Sequence, residues 1–442
     1  MTLSEIDSST INGNGAKRRG EVDNDFLCRV GPGTPMGEAL SRYWWPVGVD
    51  ADFPIPDSDP RHVRLLGRDF VAFRDTNGVL GLLDENCCHR GSSLTLGRVE
   101  DCGIRCLYHG WKFGVDGTIQ ETPNMPDGRF KERVRQGAYP IRSAGGLVWA
   151  YIGRTDKQPP FPRYAFMDET TSERQPIRYL IDCNYVQVMD GNLDTSHAFV
   201  LHTDLVKQWS RSTSSDGALE RNFNPEQTVP RLEFLSTNFG FYYAGIRTGG
   251  GVPDGKRHLR ITAFVLPHMA LIPGETGRPL LWSPIDDEHT WLFLANVDAA
   301  GMRKANIGFP PDLVDPDGHV RMSRTNNYGQ LRETMRGASF SGLRTTLLED
   351  AAMQVSMGPL YDHSREVVVP ADRAVLKARR LLIESALRVQ AGEEPLYCDP
   401  DELSSIRAVE ALADTNRPWQ EFVGYTDQGC HSDSDDGEDM AS

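Results

Sequence analysis

Four residues in two short segments constrain this chain more than anything else in it. Cys87 and His89 lie in C-C-H-R-G, and Cys106 and His109 lie in C-L-Y-H-G-W, with sixteen residues between His89 and Cys106. Each segment offers one thiolate and one imidazole, two or three positions apart, on what the surrounding pattern predicts to be a turn between strands. Two such turns facing each other can hold two metal atoms. One atom would take both thiolates, the other both imidazoles, and a fold for this chain has to bring the two turns together.

That division, two cysteines on one iron and two histidines on the other, defines a Rieske [2Fe–2S] centre. Cys88 competes with Cys87, but adjacent residues in an extended turn point to opposite sides, so the C-x-H spacing favours Cys87. Cys102 competes with Cys106, and the C-x-x-H pairing with His109 favours Cys106. A structural zinc site also uses two cysteines and two histidines. Zinc knuckles usually pair like with like, whereas each segment here mixes the two ligand types.

The rest of the composition narrows the setting. At 442 residues the chain has room for two or three domains. Its formal net charge of −15 argues against nucleic acid as a partner, because that binding rests on clustered Lys and Arg. Eight cysteines are too few for a disulfide scaffold, and four of them crowd into residues 87–106. No apolar run reaches membrane-spanning length, and the first residues lack a signal-peptide core, so a cytoplasmic location is expected.

Along the chain, four regions separate. Residues 1–25 read as a mobile polar arm. Residues 26–155 hold a short helical lead-in and then apolar runs broken by Asn-Gly and Asp-Gly turns, the pattern of an antiparallel β domain. The proline-rich stretch Gln158–Tyr164 reads as a linker into an α+β region, residues 156–425. There, strands are predicted at LEFLSTNFGFYYAGIR, LRITAFVLPHMALIP and TWLFLANVDA, with helices near Asp182–Leu201, Thr345–Ser356 and Asp372–Gln390. Residues 426–442 are acidic, nearly devoid of apolar side chains, and expected to be disordered.

A second constellation is D-x-x-H-x-x-x-x-H, made by Asp194, His197 and His202. Asp194 and His197 would share a helix face. His202, five positions on, would sit about 140° round the same helix, so joint ligation by the two histidines needs an irregularity or a helix end. Two histidines and a carboxylate form the facial triad that suits Fe(II) with open positions for O2. An electron-storing cluster beside such an iron is a coherent chemical unit. Spacing alone leaves the carboxylate open.

The blocks C-C-H-R-G-S-S-L and C-L-Y-H-G-W-K-F closely resemble the Rieske domain of aromatic-ring-hydroxylating oxygenases, and D-G-N-L-D-T-S-H-A-F-V-L-H resembles the mononuclear iron motif of their phthalate dioxygenase-like group. The resemblance implies an α+β chain: an all-β Rieske [2Fe–2S] domain followed by a helix-grip-type antiparallel-sheet catalytic domain, assembled as a homotrimer or a multiple of three. It implies His197 and His202 as iron ligands and, from T-L-L-E-D-A-A-M-Q-V-S-M-G-P, Asp350 as the third, ahead of Glu349 and then Asp362. Asp194 is then an electron-transfer bridge, linking His109 of one subunit to His197 of the next. Glu349 facing solvent and Asp362 in an ion pair or cap near Arg365 are the plainer alternatives.

The resemblance further implies a separate flavin- and ferredoxin-type reductase using NAD(P)H; the chain has no GxGxxG after a strand. Hydroxylation of an aromatic acid, or its oxidative O-demethylation, is the expected reaction. Lys207, Arg211, Arg247 and Arg260 are candidates to hold a carboxylate, with Phe239, Tyr243 and Phe264 as apolar wall. In respiratory-chain Rieske proteins two further cysteines form a disulfide beside the cluster; here Ser92 and Tyr108 stand at those positions, and Trp111 replaces a hydroxyl residue that would bond a bridging sulfur. Fewer hydrogen bonds to sulfur predict a potential toward the low end of the range from roughly −150 to +300 mV. Redox titration checks this, and a midpoint well above zero would contradict it.

Overall fold

Strand-forming runs separated by tight turns fold the first half into three small antiparallel sheets. In the computed structural model the described residues are 24–125, 128–168, 171, 174–204, 229–249, 252–273, 279–304, 306–396 and 403–425. Most of the expected arm (residues 1–23), the acidic tail, Lys207 and Arg211 lie outside them. Strand β1 (Trp45–Val49) pairs later with β9 and β10; β2 (Arg61–Leu65), β3 (Arg68–Arg74) and β4 (Leu80–Asp84) make a meander; β5 (Arg98–Glu100), β6 (Gly103–Arg105), β7 (Lys112–Phe113) and β8 (Ile119–Glu121) make a second one. The β3–β4 turn shows why the sequence closes there. Asp75 accepts hydrogen bonds from the backbone N–H of Asn77 (2.9 Å) and Val79 (2.8 Å), and Gly78 takes a left-handed φ of 78°.

Strands β9 (Ile141–Ala144) and β10 (Leu147–Ala150) close on β1 and lead into the second half. There β11 (Gln175–Ile181), β12 (Arg231–Thr237), β13 (Gly240–Arg247), β14 (Lys256–Val265), β15 (Met269–Leu271), β16 (Pro279–Pro284) and β17 (Thr290–Val297) form one antiparallel sheet in the order β11-β17-β16-β15-β14-β13-β12. The last strand, β18 (Val409–Asp414), joins the free length of β14. The expected β13–β14 hairpin is present, with Arg247 opposite His258.

Two short helices open the described residues, α1 (Asn24–Cys28) and α2 (Pro35–Leu40). Three longer ones cover the sheet: α3 (Tyr185–Leu193), α4 (Thr346–Ser356) and α5 (Arg373–Gln390). Ala374, Val375, Ala378, Leu382 and Ala386 put a buried stripe along α5 at helical spacing. That stripe shares a core with Phe241, Tyr243 and Phe264 of the sheet, so α5 is gripped against one sheet face. Tyr242, Ala244, Ile261 and Ala263, alternating with these, belong to a second core on the opposite face.

The lead-in packs on the second half. Asn184, the N-cap of α3, donates to the carbonyls of Cys28 (2.9 Å) and Asp287 (2.7 Å), and Tyr185 donates to that of Leu27 (2.7 Å). The β2–β3 turn meets the same region through the N–H groups of Leu66 and Gly67, which bond to Pro284 and Ile285. No helix among the described residues is long and apolar enough to cross a membrane.

His268 is buried where the halves meet, among the rings of Trp45, Trp149 and Tyr164. Burial alone holds its pKa down to about 3. Between about pH 6.5 and 3 the unfolded chain therefore takes up a proton that the folded chain refuses. Stability should fall by up to about 1.4 kcal/mol per pH unit on this account as pH drops through that window. Denaturation of the parent and His268→Gln at pH 7 and 4.5 tests this, and equal losses would refute it.

Candidate metal centres

The two Cys/His segments form loops with the same hydrogen-bonding plan. The first follows β4 and the second joins β6 to β7. In the first, the N–H of Cys87 bonds to the carbonyl of Ser92 (2.9 Å) and the N–H of Gly91 to that of Cys87 (2.8 Å). In the second, Cys106 bonds to Trp111 (2.8 Å) and Gly110 to Cys106 (3.0 Å). Gly91 and Gly110 have φ of 73° and 74°, the left-handed turn that lets each loop fold back on its cysteine. Both cysteines are buried, and burial, with the charge of Cys106 adding to it, pushes the Cys87 thiol up to about 11. His89 and His109 stand together, ring centroids 4.6 Å apart.

The competing cysteines fall elsewhere. Cys88 is exposed, its N–H held by Gln136 Oε1 at 2.8 Å. Cys102 sits in the β5–β6 turn with a φ of 61°, its sulfur 3.1 Å from Asn77 Nδ2. Gln136 also donates to the carbonyls of Asp84 (2.7 Å) and Asn86 (2.9 Å), and so ties the first loop down.

The second constellation depends on a helix end. The candidate helix over Asp182–Leu201 is shorter, because α3 stops at Leu193 and Asp194 leaves helical geometry at φ −73°, ψ 120°. Its carboxylate accepts from Ser196 N and Oγ (both 2.7 Å) and from His197 N (3.2 Å), an arrangement that competes with helix continuation. His197 then opens a short 3-10 turn, and His202 follows beyond it. With the helix broken, the rings come to 5.2 Å between centroids.

Both Nε2 atoms face one carboxylate. Asp350 Oδ1 lies 3.0 Å from His202 Nε2 and 3.4 Å from His197 Nε2, and the three donors all fall within 4.8 Å of one another. Each Nδ1 is occupied by a different acid: His197 by Asp194 Oδ2 at 3.1 Å, His202 by Glu349 Oε2 at 2.7 Å. Burial works against charge on Asp194, but bonds from His197 and Ser196 outweigh it and hold the carboxyl down to about 2. Among the described residues two other His/acid groupings are already engaged by arginine: Arg379 pairs with Asp190 and Glu366, and Arg64 with Asp69.

The comparisons agree with both halves. The Rieske [2Fe-2S] domain family matches residues 43–139, and the LigXa C-terminal domain like family matches residues 150–438. The phthalate 4,5-dioxygenase oxygenase subunit of Pseudomonas putida is 34% identical over 413 residues, covering 90% of this chain and 94% of its own. The 3-chlorobenzoate-3,4-dioxygenase oxygenase subunit of Comamonas testosteroni is 32% identical, with 86% and 91% covered. This chain belongs to the Rieske non-haem iron oxygenases. The crystal structure of dicamba monooxygenase bound to dicamba shares the fold of this oxygenase, at a TM-score of 0.52 and 15% identity over 80% of this chain and 99% of the other.

As a Rieske oxygenase the chain uses a [2Fe–2S] cluster and a mononuclear iron, and its residues fit both. Two buried sulfurs with two imidazoles beside them match the donor set that such a cluster takes. Two Nε2 atoms and a carboxylate oxygen within reach of one point match the donor set of a facial triad.

Glu349 corrects the alternatives weighed for it. It is buried, 6% exposed, and accepts from Ser341 Oγ at 2.5 Å as well as bonding His202. It therefore neither faces solvent nor points at the Nε2 side. The sequence carried no signal for this beyond an acid next to Asp350. Glu349→Ala should lower iron affinity about 10- to 100-fold while the cluster spectrum stays intact. Iron titration of the variant measures it, and unchanged affinity would count against orientation of His202 by Glu349. Asp362, the most distant ligand candidate, is an exposed cap accepting from Ser364 N at 3.1 Å.

Among the carboxylate-binding candidates, Arg247 is buried beside the iron segment. Its guanidinium lies 4.1 Å from the Phe199 ring centroid and donates to the carbonyl of Thr195 at 3.3 Å. Arg260 faces Glu410 at 4.0 Å, and Glu410 also bonds His258 at 2.9 Å. Tyr243 donates to Leu193 O (2.6 Å) and so holds the end of α3. Phe264 stacks with Trp282 and Phe239 packs on Tyr242, both as core.

Proposed function

We infer that this oxygenase hydroxylates an aromatic carboxylate, with O2 and with electrons from a separate NAD(P)H-dependent reductase. Cys87 and Cys106 hold one iron of the cluster and His89 and His109 the other; His197, His202 and Asp350 hold the mononuclear iron. The convergence of two Nε2 atoms on Asp350, with each Nδ1 tied to its own acid, carries this reading. Bound there, the iron supplies O2 activation at open coordination positions.

The chain's own residues do the rest. Asp194 and Glu349 fix the tautomers so that both Nε2 lone pairs point at the site. Arg247 receives the substrate carboxylate beside Phe199, because its guanidinium is held near the iron segment and suits two-pronged carboxylate capture. Arg260 is balanced by Glu410 and sets the polarity behind it. The domains run as 26–155 for the Rieske unit and 156–425 for the catalytic unit. The working assembly is a cytoplasmic homotrimer or multiple of three, with His109 of one subunit meeting Asp194 of the next.

NADH-linked O2 uptake with a generic reductase across benzoate, phthalates, phenoxybenzoates and vanillate-like ethers tests the reading. Hydroxylated product from an aromatic acid is expected, and formaldehyde release would mark O-demethylation instead. Protein that stays colourless and iron-free after anaerobic reconstitution would end it.

A further inference from the structure

The cluster loops have two different surroundings. On one side Leu107 and Tyr108, 60% and 58% exposed, flank His109, with Arg90 over the Tyr108 ring. On the other, Trp111 stacks flat on His89, centroids 4.4 Å apart and planes 6° apart, and Phe130 packs on Trp111 at 5.4 Å. Phe130 belongs to R-F-K-E-R-V-R, residues 129–135, which carries four basic side chains against one acid in a chain whose net charge is −15. Arg129, Glu132, Arg133, Val134 and Arg135 are exposed and Lys131 is half-buried.

This stretch is fixed to the cluster loop at both ends. Phe130 packs against the hydrophobic cluster that contains Cys87 and Cys106. Gln136, immediately after it, is 2% exposed and holds Cys88 N together with the carbonyls of Asp84 and Asn86. Lys131 reaches the Gln120 carbonyl at 3.2 Å, and Arg135 lies 3.6 Å from exposed Asp116. A local basic patch on an acidic protein steers an acidic partner to one place and repels it elsewhere.

We propose that residues 129–135 are the docking surface for an acidic [2Fe–2S] ferredoxin-type electron donor, which delivers electrons on the Trp111–His89 flank of the cluster. The inference rests on the function proposed above, which takes the His109 side for the neighbouring subunit. In the step, one electron leaves the donor's reduced centre and enters the oxidised cluster; no covalent bond forms or breaks. Plant-type donors near roughly −400 mV make the transfer downhill to a Rieske centre.

The experiment follows bleaching of the cluster absorbance in the full-length holoenzyme by stopped flow. The reductant is a reduced, acidic plant-type [2Fe–2S] ferredoxin at two ionic strengths. Arg133→Glu with Arg135→Glu should slow the second-order reduction about tenfold or more at low salt and flatten its salt dependence. Arg154→Glu, a reversal at another exposed arginine, should change it less than about twofold. Reduction by dithionite should be unaltered in all three proteins. A rate insensitive to the paired reversal, or equally sensitive to Arg154→Glu, overturns the proposal. If the reversed pair fails to load its cluster, Arg133→Gln with Arg135→Gln replaces it under the same criteria, with a smaller slowing expected. Single-turnover product formation by dithionite-reduced parent enzyme is read separately, and its failure would overturn the function rather than the docking surface.

Discussion

Asp350→Ala is expected to lose the mononuclear iron, keep the visible spectrum of the cluster, and form no product above background. The carboxylate stands 3.0 and 3.4 Å from the two Nε2 atoms, and among the described residues no other acid joins that grouping. Without it two imidazoles remain with no negative charge to balance a divalent ion. Asp350 also sits on α4, outside the Rieske match at residues 43–139, so the Rieske half should fold and load normally. The loss of iron affinity should exceed the roughly 100-fold ceiling seen when only an outer partner is removed. Metal analysis after gel filtration, beside Asp362→Ala as the exposed control, decides the matter. An Asp350→Ala protein that retains its full iron complement would remove this residue from the site.

Asp194→Asn should keep both metal centres and still slow turnover by about 10- to 100-fold or more. Asp194 has two relations that an amide preserves only in part. Toward its own chain it accepts from Ser196 and His197 N, bonds an amide oxygen can also accept. Toward His197 Nδ1 it supplies charge, which raises the basicity of the imidazole, and an amide does not. Its side chain is also 24% exposed, against 7% for Glu349, so it alone of the two acids can reach a neighbouring subunit. The measurement is single-turnover reoxidation of the pre-reduced cluster with substrate and O2. Slow reoxidation at full iron occupancy is the expected result, and a normal rate would eliminate the bridge.

Local chemistry made the cluster legible. Cysteine and histidine two or three apart, each followed by glycine, can only be brought to a common point by a tight turn, and both loops use that turn in the same way. The hairpins of the first half were equally local, since alternation and Asn-Gly or Asp-Gly turns need no distant partner. Strands β11, β16 and β18 were not legible. Val409–Asp414 reads V-E-A-L-A-D, which has no strand alternation, and becomes a strand because β14 offers it an unpaired edge.

The iron site divides along the same line. The sequence by itself determined that His197 and His202 could ligate one metal only across an irregularity or a helix end; where the helix breaks was decided by Asp194 folding back on Ser196 and His197. Spacing left Glu349 and Asp350 equal, and only the family resemblance ranked Asp350 first; which way each side chain turns was decided by tertiary packing. They are adjacent on α4, about 100° apart round the helix, and which of them meets a metal depends on how that helix lies against a histidine 147 residues from Glu349. Spacing can specify donors that one turn brings together; it cannot specify donors whose meeting depends on the orientation of two packed elements.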